Sequence, residues 1–109
     1  MTRAGKVFYS GRAAGRIERT ESGGYCFSYL PEYLARPGAR AVSLTLPLQL
    51  APFESQTLFP FFSGLLAEGT LKELQCRLNH IDPNDDFTRL LKTAAHDVIG
   101  AVTVQEETV

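Results

Sequence analysis

The sequence lacks tryptophan, has one methionine and two cysteines, and contains no run of lysine or arginine. Its 11 basic and 12 acidic side chains give a formal net charge of -1. Proteins that bind nucleic acid or an anionic membrane surface directly usually carry a basic cluster that meets the phosphates. The charge balance therefore argues against both classes of ligand.

Long apolar runs are also missing. No stretch approaches the roughly 20 residues of a membrane-spanning helix, and the first residues lack the apolar segment of a signal peptide. Cys26 and Cys76 belong to no Cys-x-x-Cys motif. We therefore expect a cytoplasmic protein whose cysteines are reduced, buried and small apolar residues rather than a disulfide.

What is present is the composition of an ordinary globular protein. The chain has 109 residues, of which 44% are hydrophobic and 21% are charged. That length supports one hydrophobic core but not two. We predict a single domain over residues 1–109.

The first thirty residues predict a meander of short strands. Strands are expected at 6–10 and 16–22 around a turn at 11–15, and a third strand at 25–30. In the third strand Tyr25, Phe27 and Tyr29 alternate with other residues, which predicts one buried aromatic face.

Two further strands follow at a distance. Residues 31–40 contain prolines and glycine and predict a loop. The alternation of Val42, Leu44 and Leu46 predicts a fourth strand over 41–48. A β-branched run over 98–104 predicts a last strand that returns to the sheet, followed by a frayed tail at 105–109.

Helical signals dominate the second half. Thr57 and Pro60 predict the start of a first helix, which Glu68 and Gly69 would end. Thr70 with Glu73 spells a capping box for a second helix, whose apolar stripe would be Leu71, Leu74 and Leu78. Asp82 and Pro83 predict the start of a third helix, with a buried face formed by Phe87, Leu90, Leu91 and Ala94.

No catalytic, metal or cofactor site is recognisable. Residues 82–87 place oxygens at alternate positions as a calcium loop does, but Phe87 and Thr93 replace the required glycine and glutamate. Helix capping explains these acidic residues better. His80 and His96 have no nucleophile placed by spacing, and the glycines fit no phosphate-binding motif. We therefore predict a binding or regulatory module and not an enzyme.

Three ordered segments resemble the N-terminal subdomain of HipA-type toxin kinases: SLTLPL (43–48), PFFSGLLAEG (60–69) and DFTRLLKTAAHDVIGAVTV (86–104). The resemblance extends from about residue 4 to about residue 105. Ala67 stands where the family usually has proline before Glu-Gly. The resemblance implies an α+β fold in which a mostly antiparallel sheet of about five short strands packs against about three helices.

The kinase core that follows this subdomain in HipA is not recognisable in the sequence, which lacks its phosphate loop and its catalytic and magnesium-binding motifs. A free-standing subdomain resembles HipS, the small component of tripartite HipB–HipS–HipT toxin–antitoxin systems. The resemblance implies an antitoxin that binds and neutralises a HipT-type serine/threonine kinase without a cofactor. A HipB-type protein would supply DNA binding in a ternary complex. The alternative is an N-terminal fragment of a HipA-type kinase with a structural role only.

The apolar segment at 58–66 supplies the candidate interface. At helical spacing its six large apolar residues span an arc of roughly 160°, whereas a helix on a sheet typically needs about 100°. The arc therefore has surplus edges that a partner can use, unless neighbouring helices and the sheet cover it entirely. The candidate contacts with the kinase are Leu58, Phe59, Phe61 and Phe62.

Overall fold

The computed structural model describes residues 3–94 and 101–107. Within them, five strands form one antiparallel sheet in the order β4-β3-β2-β1-β5. The predicted α+β class, with about five strands and several helices, is confirmed. The elements are β1 Ala4–Tyr9, β2 Arg12–Arg19, β3 Tyr25–Tyr29, α1 Pro31–Leu34, β4 Phe53–Ser55, α2 Pro60–Ser63, α3 Gly69–Asn79, α4 Asp86–Thr93 and β5 Val102–Glu106.

The β1–β2 hairpin turns over two residues only. Ser10 and Gly11 both have positive φ, 49° and 82°, and Tyr9 pairs with Arg12. Two consecutive positive φ values are typical of the type I′ turn that suits a twisted hairpin. The predicted turn at 11–15 is therefore too long. Most of it lies in β2, where the register shift opposite Val7 and Phe8 leaves Ala14 as the extra residue of a bulge.

The inner face of the sheet carries the aromatic row predicted from the sequence. Phe27 and Tyr29 are buried and Tyr25 is half-buried. The Phe27 ring lies 5.5 Å from that of Phe62 in α2, and the Tyr25 ring lies 5.5 Å from that of Phe87 in α4. These contacts join the helices to the sheet, and burial of each such side chain contributes about 1.5–3 kcal/mol.

The predicted fourth strand over 41–48 is wrong. Val42 and Leu46 are buried, but Leu44 between them is fully exposed, and only one isolated bridge joins Ser43 to Leu46. The Tyr29 hydroxyl accepts a hydrogen bond from the Val42 N–H at 3.0 Å and donates one to the Leu46 carbonyl. A side chain thus satisfies backbone groups that a neighbouring strand would otherwise pair with, and the fourth strand forms later, at Phe53–Ser55.

The first predicted helix is shortened to one turn. Helix α2 covers Pro60–Ser63, with Phe59 and not Thr57 as its N-terminal flanking residue. Leu65 N–H donates to the Phe62 carbonyl and Leu66 N–H to the Ser63 carbonyl, at 3.1 and 3.2 Å. These bonds span three residues rather than four, so the chain continues as tight turns. A second one-turn helix, α1, occupies part of the predicted loop at 31–40.

The N-cap of helix α4 lies three residues after the predicted one. Asp85 is the N-cap, and its carboxylate accepts from the Thr88 N–H at 3.1 Å. Asp82 instead closes the preceding turn by accepting from the Asn84 N–H at 2.9 Å. The predicted buried face of this helix, with Phe87, Leu90, Leu91 and Ala94, is confirmed.

Strand β5 returns to the sheet, as predicted, and the structure places it beside β1. It is confirmed from Val102 onward, and residues 98–100 of the predicted strand lie outside the described residues. The strand includes Gln105 and Glu106, which were expected in the frayed tail. Glu107 N–H donates to the Ala4 carbonyl at 3.0 Å, and its carboxylate lies 2.9 Å from Nε of Arg16. Pairing with β1 and this ion pair hold the tail as far as Glu107.

Candidate protein-docking surface

The predicted interface residues divide into two pairs. Phe62 is completely buried and Phe59 is 8% exposed, so both belong to the core. Leu58 and Phe61 are half-buried and pack against that core. Because α2 is a single turn, the wide helical arc from which the interface was predicted does not exist. Of the four predicted residues, only Leu58 and Phe61 expose an appreciable part of their side chains to solvent.

A different apolar surface lies on α3. Leu71 and Leu74 are each 48% exposed and Leu78 is 69% exposed. At about 100° per residue these three side chains fall within about 60° of the helix circumference. We call them the α3 leucine stripe. The sequence predicted an apolar stripe at these positions of a helix, and the structure places that stripe on the solvent side.

Cys76 explains the orientation of α3. It is the buried residue of the helix, 5% exposed, and helical spacing places it about 170° from the centre of the stripe. The helix therefore rests on the domain through its cysteine side, while the leucines point to solvent. Cys76 is a small buried apolar residue, as predicted, whereas Cys26 is half-buried; both are free thiols.

Both ends of α3 are attached to the rest of the domain. Before the helix, Nη2 of the buried Arg89 donates to the Ala67 carbonyl at 2.5 Å. At its end, His80 adopts the left-handed conformation and Ile81 N–H donates to the Cys76 carbonyl at 2.9 Å. This arrangement is typical of helix C-termini, and Ile81 is buried beyond it. The stripe is thus held facing outward.

A second group of exposed leucines lies in the segment between α1 and β4. Leu44 is 100% exposed, Leu50 is 73% exposed and Leu48 is 39% exposed. The neighbouring Val42 and Leu46 are buried beneath the segment and tied to Tyr29. This segment is therefore anchored at its buried positions and presents apolar side chains between them.

Three aspartates that line a surface groove are engaged in structural contacts. A groove of about 410 Å³ is lined partly by Asp82, Asp85 and Asp86. Asp82 and Asp85 accept from backbone N–H groups, and Asp86 lies 3.1 Å from the Arg89 guanidinium. Within residues 3–94 and 101–107, no group of three or more His, Cys, Asp or Glu side chains could hold a metal ion. His80 is an exposed helix end, and His96 lies outside these ranges.

Two carboxylates that form contacts between residues of the fold, those of Asp85 and Glu106, have pKa values below their ordinary ones. Burial alone would raise the pKa of Asp85, but the hydrogen bonds from Thr88 and the positive charge of Arg3 lower it overall. The pKa of Glu106 is lowered mainly by its bond with Lys92, and further by Arg3. Both groups are ionised in the folded protein at neutral pH and stabilise contacts between elements.

The geometry of the helices also bears on membranes. Across the part of the chain that the structure describes, no helix has both the length and the apolar character needed to cross a bilayer. The longest, α3, has 11 residues.

The leucine stripe of α3 is narrower than the apolar face of an ordinary core helix, which is about 100° wide. The spacing of the leucines predicted an apolar stripe but did not specify whether it faces the core or the solvent.

Comparison with known proteins places these features in a family context. Residues 5–105 match the family model described as the HipA N-terminal domain. A solved structure of the N-terminal domain of the HipA toxin superposes with a TM-score of 0.72 at 34% identity, covering 97% of this chain and 93% of that one.

Two sequence relatives differ in length. An uncharacterised protein of Haemophilus influenzae is 40% identical over 107 residues, covering 98% of this chain and 95% of that protein. The candidate kinase Y4mE of Sinorhizobium fredii is 30% identical over 101 residues, which are 93% of this chain but 24% of Y4mE. The same domain therefore makes up nearly all of one relative and about a quarter of another.

Proposed function

The chain belongs to the HipA N-terminal domain family, and on that premise we propose that it is an antitoxin that binds and neutralises a HipT-type serine/threonine kinase. The proposal rests on the large apolar side chains that are exposed on this domain. In a longer relative the same domain is followed or preceded by further sequence that can cover such a surface. Apolar surface of this kind is typical of protein–protein contacts.

The relatives supply the reason for a partner. In Y4mE the domain is covalently attached to the remaining three-quarters of a candidate kinase. Two domains joined in this way usually share an interface. In the Haemophilus influenzae relative the domain has almost no additional sequence. A domain that occurs without its neighbour keeps the surface that faced it, and that surface can form the same contact between separate chains.

Neutralisation then follows from binding and needs no chemistry from this chain. A kinase changes conformation during its cycle, so a ligand that prefers one inactive conformation lowers the active population. Docking over the nucleotide or substrate cleft has the same result. A HipB-type protein would make the DNA contacts of a ternary complex in the cytoplasm, consistent with the net charge of -1 of this chain. Leu58 and Phe61 remain proposed contacts with the kinase.

A second function has its own support. The match covers only 24% of the length of Y4mE. This coverage also fits a non-catalytic subdomain that has a structural role within a longer HipA-type kinase. The genomic sequence distinguishes the two possibilities. An in-frame kinase core after Val109 favours the subdomain, whereas a separate kinase gene favours the antitoxin.

Co-expression tests the proposal directly. The HipT-type kinase of the same genome is induced alone, with this chain, and with an unrelated small protein as control. We expect growth arrest in the first and third cultures, growth in the second, and co-purification of kinase with this chain. Continued toxicity together with separate elution of the two proteins would contradict the antitoxin function.

A further inference from the structure

We propose that the α3 leucine stripe is the central contact through which this domain binds its kinase. This inference rests on the proposed function and deepens it by assigning the surface. The stripe consists of three leucines at positions i, i+3 and i+7 of one helix, all with 48% or more of their surface exposed. Such spacing is typical of a helix that lays one apolar face into a groove of its partner.

Contacts within the fold hold the stripe in its solvent-facing orientation before any partner binds. Cys76 is buried on the opposite side of α3, so the helix cannot turn its leucines inward without exposing that contact. The bond from Arg89 to Ala67 precedes the helix, and the bond from Ile81 to Cys76 follows it. A helix held in its bound orientation loses little conformational freedom on docking, which favours affinity.

The surroundings of the stripe define the chemistry of its partner. Helical spacing places Gln75 and Asn79 along one side of the leucines, and Thr70 and Arg77 along the other. Uncharged hydrogen-bonding groups and a single cation thus border the apolar centre. Interfaces commonly combine an apolar centre with a polar rim of this kind. The matching surface on the kinase is an apolar groove with hydrogen-bonding edges and a carboxylate that reaches Arg77.

A second copy of this chain fits the stripe less well. Helix α3 has 11 residues and is therefore about 16 Å long. A stable interface buries about 800 Å² on each partner, and three leucines on one short helix supply only part of that area. A larger partner can cover the stripe and its surroundings together. The family context points the same way, because Y4mE joins this domain to about three times its own length of kinase sequence.

The test is a double substitution that changes the stripe but preserves the helix. Leu74→Glu with Leu78→Lys places opposite charges at i and i+4, in the order that stabilises helices, and leaves the net charge unchanged. The control is Glu73→Gln, an exposed change on the same helix about 130° from the stripe centre, which places no like charges at i and i+4. Each variant and the unaltered protein are titrated with a catalytically inactive form of the HipT-type kinase.

We expect the double variant to bind at least about ten-fold more weakly, because it introduces charge into the apolar centre of the interface, and the control to bind within about two-fold of the unaltered protein. Circular dichroism and the melting temperature report whether the fold persists. If the double variant unfolds, the single variant Leu78→Lys, at the most exposed stripe position, replaces it.

The outcomes separate the two proposals. If the unaltered protein does not bind the kinase, the proposed function itself fails. If it binds and the folded double variant binds equally well, the stripe is not the docking surface while the antitoxin function stands. If the double variant loses only self-association, measured by analytical ultracentrifugation, the stripe is a contact between copies of this chain and the inference is overturned.

Discussion

Nη2 of Arg89 donates a hydrogen bond to the carbonyl oxygen of Ala67 across 2.5 Å, joining α4 to the connection that leads into α3. Arg89 is 5% exposed, and its other terminal nitrogen lies 3.1 Å from the carboxylate of Asp86. A buried guanidinium is tolerated only when its N–H groups have partners. This one residue therefore places the start of α3, and with it the leucine stripe, relative to the core.

Replacing Arg89 tests that contact. We expect Arg89→Leu to lower the free energy of unfolding by about 1.5–3 kcal/mol, since it removes a charge-assisted hydrogen bond and leaves the Ala67 carbonyl without its donor. Urea denaturation measures the change. Asp86→Asn is the control, because that carboxylate is half-exposed and its ion pair should contribute less than about 1 kcal/mol. Equal effects of the two substitutions would contradict the role of the bond to Ala67.

Tyr29→Phe is expected to loosen the segment before β4. The hydroxyl bridges the Val42 N–H and the Leu46 carbonyl, and its loss leaves two buried backbone groups unpaired, at about 1–3 kcal/mol. Amide exchange at Val42 should accelerate. Tyr25→Phe is the matched control, since the structure shows no hydrogen bond from the Tyr25 hydroxyl to any described residue. Unchanged exchange at Val42 would show that the hydroxyl does not hold this segment.

The two neighbouring phenylalanines of α2 should behave differently. Phe62→Ala removes a completely buried ring that contacts Phe27, so we expect a loss of about 3–5 kcal/mol in unfolding free energy. Phe61→Ala should be milder because Phe61 is half-buried. Denaturation separates these effects, and binding to the kinase is measured on folded Phe61→Ala. Comparable destabilisation by both would show that Phe61 is a core residue and not an available contact.

Acid should destabilise the domain through Asp85. Its pKa in the folded state lies below the ordinary value of 3.8, so the unfolded chain takes up its proton first as the pH falls. The stabilisation is therefore complete above the unfolded value and is lost as the pH falls through the folded one. Glu106 contributes in the same direction from its ordinary value of 4.5.

Asp85→Asn isolates this contribution, because asparagine also caps helices but does not titrate. We expect the variant to lose less stability than the unaltered protein between about pH 4.5 and pH 3. Melting temperatures across that range measure the difference, with pH 7 as the reference. Parallel pH profiles for the two proteins would mean that Asp85 does not titrate with a lowered pKa.

Much of the framework was predictable because its signals are local. The alternation of Tyr25, Phe27 and Tyr29 predicted a strand with an aromatic inner face, and the spacing of Phe87 and Leu90 predicted the buried face of α4. Both predictions are confirmed. In each case the spacing of the buried residues matches the repeat of the element that forms, two residues in the strand and three to four in the helix. The ordered segments that resemble the HipA subdomain also predicted the family, which the family model matches over residues 5–105.

Predictions failed where a distant residue decided the outcome. Val42, Leu44 and Leu46 alternate like a strand, yet the Tyr29 hydroxyl binds the backbone there and Leu44 is left in solvent. The apolar run at 58–66 predicted a long helix. Helix α2 has only one turn, and that turn and the residue before it bury Phe62 and Phe59 in the core.

The sequence by itself determined the class of fold, the inner face of the sheet, the buried face of α4 and the family, because each follows from short-range patterns or ordered motifs. Only the tertiary structure decided which side of α3 faces solvent. Leu71, Leu74 and Leu78 can be buried as readily as exposed in an isolated helix, and the choice depends on the docking of Cys76 and on the bond from Arg89 to Ala67. Those contacts join residues from separate elements, so no local pattern specifies them.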